Sequence, residues 1–236
     1  MNMKKIGLHE PYFKGNEKKY LLSCIKDNWV STSGKFLNKF EKKISQVTKS
    51  KFAVPVLNAT IGLHLSLILA NIKKNDEVLV PTITFVATIN SIIYSNANPI
   101  FMDVDNHFNI DEKKTIEFIL KKTIFNKGFT VNKKTKRKIK AIICLHAFGH
   151  PCEVDKLKRL AKKYNLFLIE DAAEALGSYY KKKHVGTFGD IGILSFNGNK
   201  IITTGGGGAL LTNNVKIFKL AQHLTSTAKK NHIWNF

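Results

Sequence analysis

Apolar runs of five to nine residues alternate with amphipathic helical patterns along this chain, and this alternation constrains the fold more than any other feature. The predicted strands are 51–57, 77–81, 99–104, 140–148, 166–171 and 191–197. The predicted helices between them are 59–70, 84–95, 111–122 and 153–164. Continuous apolar strands connected by helices are typical of a mostly parallel sheet with helices on both faces. We therefore expect an α/β fold whose ligands bind beyond the carboxyl ends of the strands.

The length, charge and hydropathy of the chain limit its partners. No apolar run reaches the roughly 18–20 residues of a membrane helix, and the basic N-terminus lacks the apolar region of a secretory signal. The net charge is +21, but it comes from scattered lysines with few arginines, and the densest run, 127–140, is interpreted as a solvated excursion. We expect a cytoplasmic protein that binds neither membranes nor nucleic acid. A basic nucleic-acid binder stays open as an alternative.

The cysteines and acidic residues do not predict a metal site. Cys24, Cys144 and Cys152 are widely spaced, which argues against a disulfide framework and a zinc pair. Cys144 lies in an apolar run, where a buried thiol is expected. Glu170, Asp171 and Glu174 are close in sequence, but nothing else completes a metal site.

Polar residues follow three of the predicted strands. Asn58 precedes a helix that begins at Ala59 and Thr60, which indicates either an anion site at a helix N-terminus or a plain N-cap. Asp171 ends an apolar strand, where its carboxylate needs a cation or a hydrogen-bond donor such as a protonated pyridine nitrogen. The alternative is that Asp171 caps the helix that follows. Ser195 ends a third strand, so these groups are expected at one edge of the sheet.

Lys200 lies just before the four glycines 205–208, in SFNGNKIITTGGGG. Glycine allows backbone to approach backbone or ligand closely, so the run indicates either a site or a flexible turn. A desolvated lysine can condense with a carbonyl group, whereas the alternative is one more surface lysine. The helix start at Ala59, the strand-end Asp171 and the lysine before the glycines are each a weak indication of a site. Their order along the chain is more informative.

A helix start, then a strand-end Asp, then Ser-F-x-x-x-Lys with T-T-G-x-G-G resembles the fold type I enzymes that use pyridoxal phosphate (PLP). More narrowly, the chain resembles the DegT/DnrJ/EryC1/StrS family of nucleotide-sugar aminotransferases. HEPYFKGNEKKYLLSCIKDNWVSTSGKFLNKFE, PTITFVATINSIIYSNANPIFMDVD and HAFGHPCEVDKL are similar to family segments in the same order. The resemblance covers nearly the whole chain.

The resemblance implies a role for each candidate residue. Lys200 would attach the cofactor and move a proton between cofactor and substrate, and Asp171 would pair with the pyridine N–H. Phe85 would stack on the ring, and Glu174 occupies a place where many relatives have Gln. The residues that would hold the phosphate are Ala59, Thr60 and Ser195. Asn197 and Asn199 are candidate supporting residues.

The resemblance also implies an activity. The expected reaction transfers an amino group from L-glutamate to a 4-keto-6-deoxy nucleotide sugar for bacterial surface glycans. The chain most resembles the legionaminic-acid and bacillosamine branch of 4-aminotransferases, which implies a UDP-N-acetylhexosamine substrate. Lysine at position 200 favours transamination over deoxygenation, for which relatives have His. The alternatives are a sugar dehydratase, a GDP-perosamine-type or 3-amino-sugar aminotransferase, and a PLP-binding fragment without catalysis.

The expected domain organisation has one departure from the family. Residues 1–34 are expected to form an arm lining the substrate site, and 35–236 to form the large PLP-binding domain. Relatives continue into a smaller C-terminal domain that is largely missing here. Because the family's active site lies at a homodimer interface, we expect this chain alone to be poorly active.

Overall fold

The computed structural model describes residues 10–28, 34–226 and 228, and within them the chain forms eleven strands and seven α-helices. The strands are β1 (Phe52–Val56), β2 (Glu77–Pro81), β3 (Asn98–Met102), β4 (Thr123–Asn126), β5 (Phe129–Asn132), β6 (Lys138–Leu145), β7 (Phe167–Asp171), β8 (Tyr179–Tyr180), β9 (Lys183–His184), β10 (Ile191–Ser195) and β11 (Gly208–Thr212). The helices are α1 (Glu17–Lys26), α2 (Lys35–Thr48), α3 (Ala59–Leu69), α4 (Val86–Tyr94), α5 (Glu112–Lys122), α6 (Val154–Lys163) and α7 (Val215–Thr225).

The main sheet has the order β1-β11-β10-β7-β6-β2-β3. The pairs β10–β7, β7–β6, β6–β2 and β2–β3 are parallel, whereas β11 is antiparallel to both β1 and β10. The predicted α/β fold with a mostly parallel sheet is therefore confirmed. None of the described helices is both long and apolar enough to cross a membrane.

Alternate strand residues enter cores on opposite faces of the sheet. Val78 and Val80 of β2 pack in the core that contains residues of α3, α4 and α7. Leu79, between them, packs with residues of α5 and α6. A third core joins α2 to β1 and β11. Helices thus cover both faces, and only the strand ends are free to form a site.

The predicted helices 59–70, 84–95, 111–122 and 153–164 correspond to α3, α4, α5 and α6. The basic side chains 127–138 are exposed, as the interpretation of 127–140 as a solvated excursion predicts, but the segment is regular rather than irregular, because it contains β5 and the start of β6. Thr130 Oγ1 donates to the Tyr164 carbonyl at 2.7 Å, and Asn132 Nδ2 donates to Glu77 Oε2 at 2.9 Å. These bonds fix the segment to the domain.

Part of the expected N-terminal arm can be located. Within it, α1 contacts the start of α2, where the Tyr20 and Phe36 ring centroids are 5.1 Å apart and Lys35 forms an ion pair with Asp27. The stretch 29–33, which carries the W-V-S part of the resemblance, lies outside the described residues.

Candidate active site

A cavity of about 450 Å³ lies beyond the carboxyl ends of β7 and β10. It is lined by every site residue that the sequence predicts: Ala59, Thr60, Phe85, Asp171, Glu174, Ser195 and Lys200. These residues come from four separate segments of the chain. The expectation that the strand ends converge on one site agrees with this placement, and the chemical roles of the residues stay predictions.

Asp171 ends β7 and is almost completely buried. Its Oδ2 accepts a hydrogen bond from Thr88 Oγ1 at 2.7 Å, and its Oδ1 accepts from the Ala173 amide at 3.2 Å. No lysine, arginine or histidine of the described residues forms an ion pair with it. Burial raises the pKa of Asp171. A buried carboxylate that lines a cavity and forms no ion pair with the described residues fits a ligand that brings an N–H donor or a positive charge.

Thr88 is a residue of this site that the sequence did not predict. It lies on α4 and is completely buried, and its hydroxyl accepts from Thr84 Oγ1 at 2.9 Å while donating to Asp171. Thr84 precedes the helix and Thr88 lies in its first turn, so the two hydroxyls meet at the start of α4. The spacing of the two threonines is visible in the sequence, but the hydrogen bond from Thr88 to Asp171 in β7 is not.

Lys200 reaches the cavity from the loop between β10 and β11. Its Nζ lies 2.9 Å from Glu174 Oε1 and 6.0 Å from the Phe85 ring centroid. Its backbone N–H donates to the Asn197 carbonyl at 3.0 Å, and the Thr204 N–H donates to the Phe196 carbonyl at the same distance. The loop is therefore closed on itself, and the lysine side chain is only 14% exposed.

Two different structural requirements explain the glycines at 205–208. Gly205 and Gly207 have φ of +83° and +114°, a region that L-residues with side chains rarely adopt. A Cβ on Gly208 would lie 2.9 Å from the Leu194 carbonyl oxygen and 3.0 Å from the Ala59 amide nitrogen. The run thus turns the lysine loop and lets β11 approach the start of α3.

The start of α3 forms the polar end of the cavity. Asn58 Oδ1 accepts from the Ile61 amide at 2.9 Å, so Asn58 is an N-cap, as one reading of the sequence predicts. Ala59, Thr60 and Ser195 line the cavity beside it. Because a helix N-terminus carries a partial positive charge, this end suits an anion such as a phosphate group.

Replacing Asn58 by alanine is expected to weaken both the fold and anion binding. Loss of the cap costs about 1 kcal/mol of unfolding free energy. The matched control is Asn214→Ala, because Asn214 caps α7 through the Lys216 and Ile217 amides and does not line the cavity. Thermal unfolding with and without PLP measures both effects. We expect equal loss of stability in the two variants, but reduced stabilisation by PLP only in Asn58→Ala. Equal PLP stabilisation in both variants would show that this end does not hold the phosphate.

Glu170 lies next to Asp171 in β7 but serves a different purpose. Its Oε2 is 3.0 Å from His146 Nε2, and its carboxylate accepts from the amides of Gly186, Phe188 and Gly189. Burial alone would raise the pKa of Glu170, but the hydrogen bonds from His146 and these amides lower it. Neighbouring strand residues point to opposite faces, so Glu170 fixes the 186–189 loop while Asp171 lines the cavity.

The structure gathers one group that the sequence spacing did not predict. Cys144, His146 and Cys152 are buried, and their candidate ligand atoms lie within 4.8 Å of one another. The Cys152 amide donates to His146 Nδ1 at 3.2 Å, while Nε2 bonds to Glu170. Because both ring nitrogens have partners, we assign this group to packing of the core. Cys144 is buried, as its apolar context predicts.

Comparisons with known proteins agree with this geometry. The chain is 42% identical to GDP-perosamine synthase of Escherichia coli O157:H7, over 94% of this chain and 57% of that protein. It is 36% identical to the UDP-4-amino-4,6-dideoxy-N-acetyl-beta-L-altrosamine transaminase of Campylobacter jejuni, over 91% of this chain and 54% of that protein. The solved structure of an aminotransferase from Psychrobacter cryohalolentis matches with a TM-score of 0.83 and 31% identity, over 97% of this chain and 56% of that one.

The chain thus spans a little over half the length of the relatives that it matches. The model of the DegT/DnrJ/EryC1/StrS aminotransferase family matches residues 11–235, which includes every residue of the cavity. Aminotransferases of this family depend on PLP. The family match, the relatives and the fold agree with one another: this chain belongs to the DegT/DnrJ/EryC1/StrS aminotransferase family.

Proposed function

We propose that the protein to which this chain belongs is a PLP-dependent aminotransferase that acts on a 4-keto-6-deoxy nucleotide sugar. The observation that carries the proposal is the buried carboxylate of Asp171, which forms no ion pair with the described residues and shares a cavity with Lys200. A pyridine ring with a protonated nitrogen supplies the missing donor. The residues present therefore fit PLP on their own chemistry.

The chain's own residues divide the work in this proposal. Asp171 accepts the ring N–H, Phe85 covers one ring face, and the start of α3 binds the phosphate. When bound, PLP supplies an electron sink for the substrate carbon. Lys200 Nζ attaches the cofactor and, once released, takes and returns the proton at that carbon. Glu174 Oε1, 2.9 Å from Nζ, orients the lysine toward the cavity.

The nucleotide is proposed to be GDP rather than UDP. The sequence favoured the UDP-N-acetylhexosamine branch, but identity is higher to the GDP-perosamine synthase than to the UDP-sugar transaminase, 42% against 36%. We therefore propose GDP-4-keto-6-deoxymannose as substrate and L-glutamate as amino donor. A UDP-linked 4-keto sugar is the second candidate, supported by the Campylobacter relative.

A homodimer in the cytoplasm is part of the same proposal. Phe85 and Phe148 line the cavity and are 70% and 78% exposed, and Ile201 beside Lys200 is 64% exposed. Large exposed apolar side chains around a cavity favour contact with a second protein surface, and a second copy would close the site.

The test is a single-turnover assay on the PLP-loaded chain. The chain is treated with L-glutamate, freed of excess donor, and mixed with either keto-sugar nucleotide, and the product is identified by mass spectrometry. We expect amination of the GDP sugar at least about tenfold faster than of the UDP sugar, since the loss of one hydrogen bond to the base is worth about that factor. A product lacking an oxygen would indicate a dehydratase. Cofactor attachment without any product would support a PLP-binding fragment.

A further inference from the structure

The segment 123–138, here called the basic hairpin, is an unneutralised patch of positive charge. It comprises β4, β5 and the turn that leads into β6. It carries six basic residues and no Asp or Glu: Lys127, Lys133, Lys134, Lys136, Arg137 and Lys138. None of the six forms an ion pair with a carboxylate in the described part of the chain.

The pairing register divides the basic hairpin into two faces. Thr123 pairs with Asn132, and Phe125 pairs with Thr130, which places these four side chains on one face. Thr123, Thr130 and Asn132 are buried and the Phe125 ring, although 47% exposed, lies 5.7 Å from the Tyr164 ring, so this face packs on the domain. The opposite face therefore points outward.

The outward face combines apolar side chains with a lysine. Ile124 pairs with Val131, and Val131 pairs with Lys138, while Phe129 follows on the same face. Ile124 is 51% exposed and Phe129 is 43% exposed. Lys138 Nζ lies 3.9 Å from the Phe129 ring centroid. An apolar surface flanked by flexible ammonium groups suits the boundary between anionic headgroups and acyl chains.

The composition of this face favours a lipid surface over nucleic acid. Five of the six cations are lysines, which act as point charges, whereas base and phosphate readout favours the planar fork of arginine. Lys138 Nζ already lies over the Phe129 ring, at 3.9 Å from its centroid, and Ile124 and Val131 offer no flat ring on which a base could stack. The apolar residues instead match shallow insertion below the headgroups.

The position of the basic hairpin leaves the cavity free. It pairs with β6 at Lys138 and Ile139, the first residues of that strand. The cavity is lined by Leu145 at the other end of β6. The two features therefore lie at opposite ends of the sheet.

We propose that the basic hairpin docks this protein peripherally on bilayers that contain anionic phospholipids, through its lysines and the exposed Ile124 and Phe129. This departs from the sequence-based expectation of no membrane partner. That expectation rested on the lack of a spanning segment and on a solvated reading of 127–140, and it could not include the pairing register. The proposal is independent of the reaction in the cavity.

Cosedimentation with vesicles tests the proposal. The probes are phosphatidylcholine vesicles with and without phosphatidylglycerol. We expect the chain to bind only the vesicles with phosphatidylglycerol, and less tightly as salt increases. Lys133→Gln/Lys134→Gln/Lys138→Gln should lower the partition coefficient at least about tenfold. The control, Lys42→Gln/Lys43→Gln/Lys216→Gln, removes the same charge from exposed positions on α2 and α7 and should lower it less.

A second variant distinguishes insertion of an apolar side chain into the bilayer from long-range electrostatic attraction to its surface. Phe129→Ser keeps every charge and should still lower binding several-fold if the ring enters the bilayer. Equal losses in the two triple variants, or binding unaffected by Phe129→Ser, would overturn the proposal. So would tighter binding to a single-stranded oligonucleotide that depends on the same three lysines. Absence of any vesicle binding would mean that the lysines only keep the edge of β4 from pairing with other chains.

Discussion

Replacing Lys200 by alanine will abolish covalent attachment of PLP to this chain. Wild type, mixed with PLP and reduced with borohydride, should retain the cofactor on the peptide that contains Lys200, and its visible absorbance before reduction should differ from that of free PLP. The variant should show neither. The reason is geometric, because Lys200 Nζ lies inside the cavity, next to Glu174 and within 6.0 Å of the Phe85 ring centroid.

The control for this experiment is Lys156→Ala. Lys156 Nζ also contacts acidic side chains, Glu112 at 2.9 Å and Glu153 at 3.0 Å, but it does not line the cavity. This variant should attach PLP like wild type. In an active form of the protein, turnover should fall by about a thousand-fold or more on loss of Lys200, since that lysine is both nucleophile and proton carrier. Retained attachment at another lysine in Lys200→Ala would contradict the assignment.

Asp171→Asn should make the chain more stable without PLP while weakening its binding of PLP. Burial raises the pKa of Asp171 above its ordinary value of 3.8, so holding the carboxylate ionised at neutral pH opposes folding. Asparagine removes this cost, and Thr88 can accept from its amide. The thermal midpoint of the variant should exceed that of wild type by a few degrees, corresponding to about 1 kcal/mol.

The effect of Asp171→Asn on stability should depend on pH in a definite direction. A carboxyl group whose pKa is raised in the folded state favours folding while it is protonated, and this advantage is lost as pH increases through the raised pKa. The difference between the variant and wild type should therefore shrink as pH falls toward 3.8. A constant difference at every pH would contradict the argument.

The affinity for PLP is the second measurement on the Asp171→Asn variant. Loss of a charge-assisted hydrogen bond to the ring N–H should weaken PLP binding by about 10- to 100-fold. The matched control is Asp190→Asn, because burial also raises the pKa of Asp190, and its Oδ2 accepts from the Leu168 amide outside the cavity. That variant should respond to PLP like wild type. Equal PLP responses of the two variants would exclude contact between Asp171 and the ring.

The sequence predicted the parts of this protein that depend on local pattern. Apolar runs and helical periodicity located α3 to α6, a polar residue at the end of an apolar strand identified Asp171 as a candidate, and the glycine run behind Lys200 identified that lysine. The predictions failed where the structure depends on strand pairing or on contacts between separate elements. The β4–β5 hairpin was missed because its inward residues are Thr and Asn rather than an apolar run. Thr88 and Glu170 needed the register between distant elements. The nucleotide of the sugar substrate stays a prediction, because no single motif in the sequence identifies it.

The pairing of β1 with β11 has a consequence for how the protein is made. Phe52 faces Thr212 across this ladder, so the two strands are separated by most of the chain. During synthesis β1 leaves the ribosome long before its partner and must wait with its backbone groups unpaired. Contacts of such high sequence separation slow folding and favour aggregation of unfinished chains. Because the Lys200 loop is completed only when β11 pairs, the lysine that we propose as catalytic is positioned only after β11 has been made and has paired with β10.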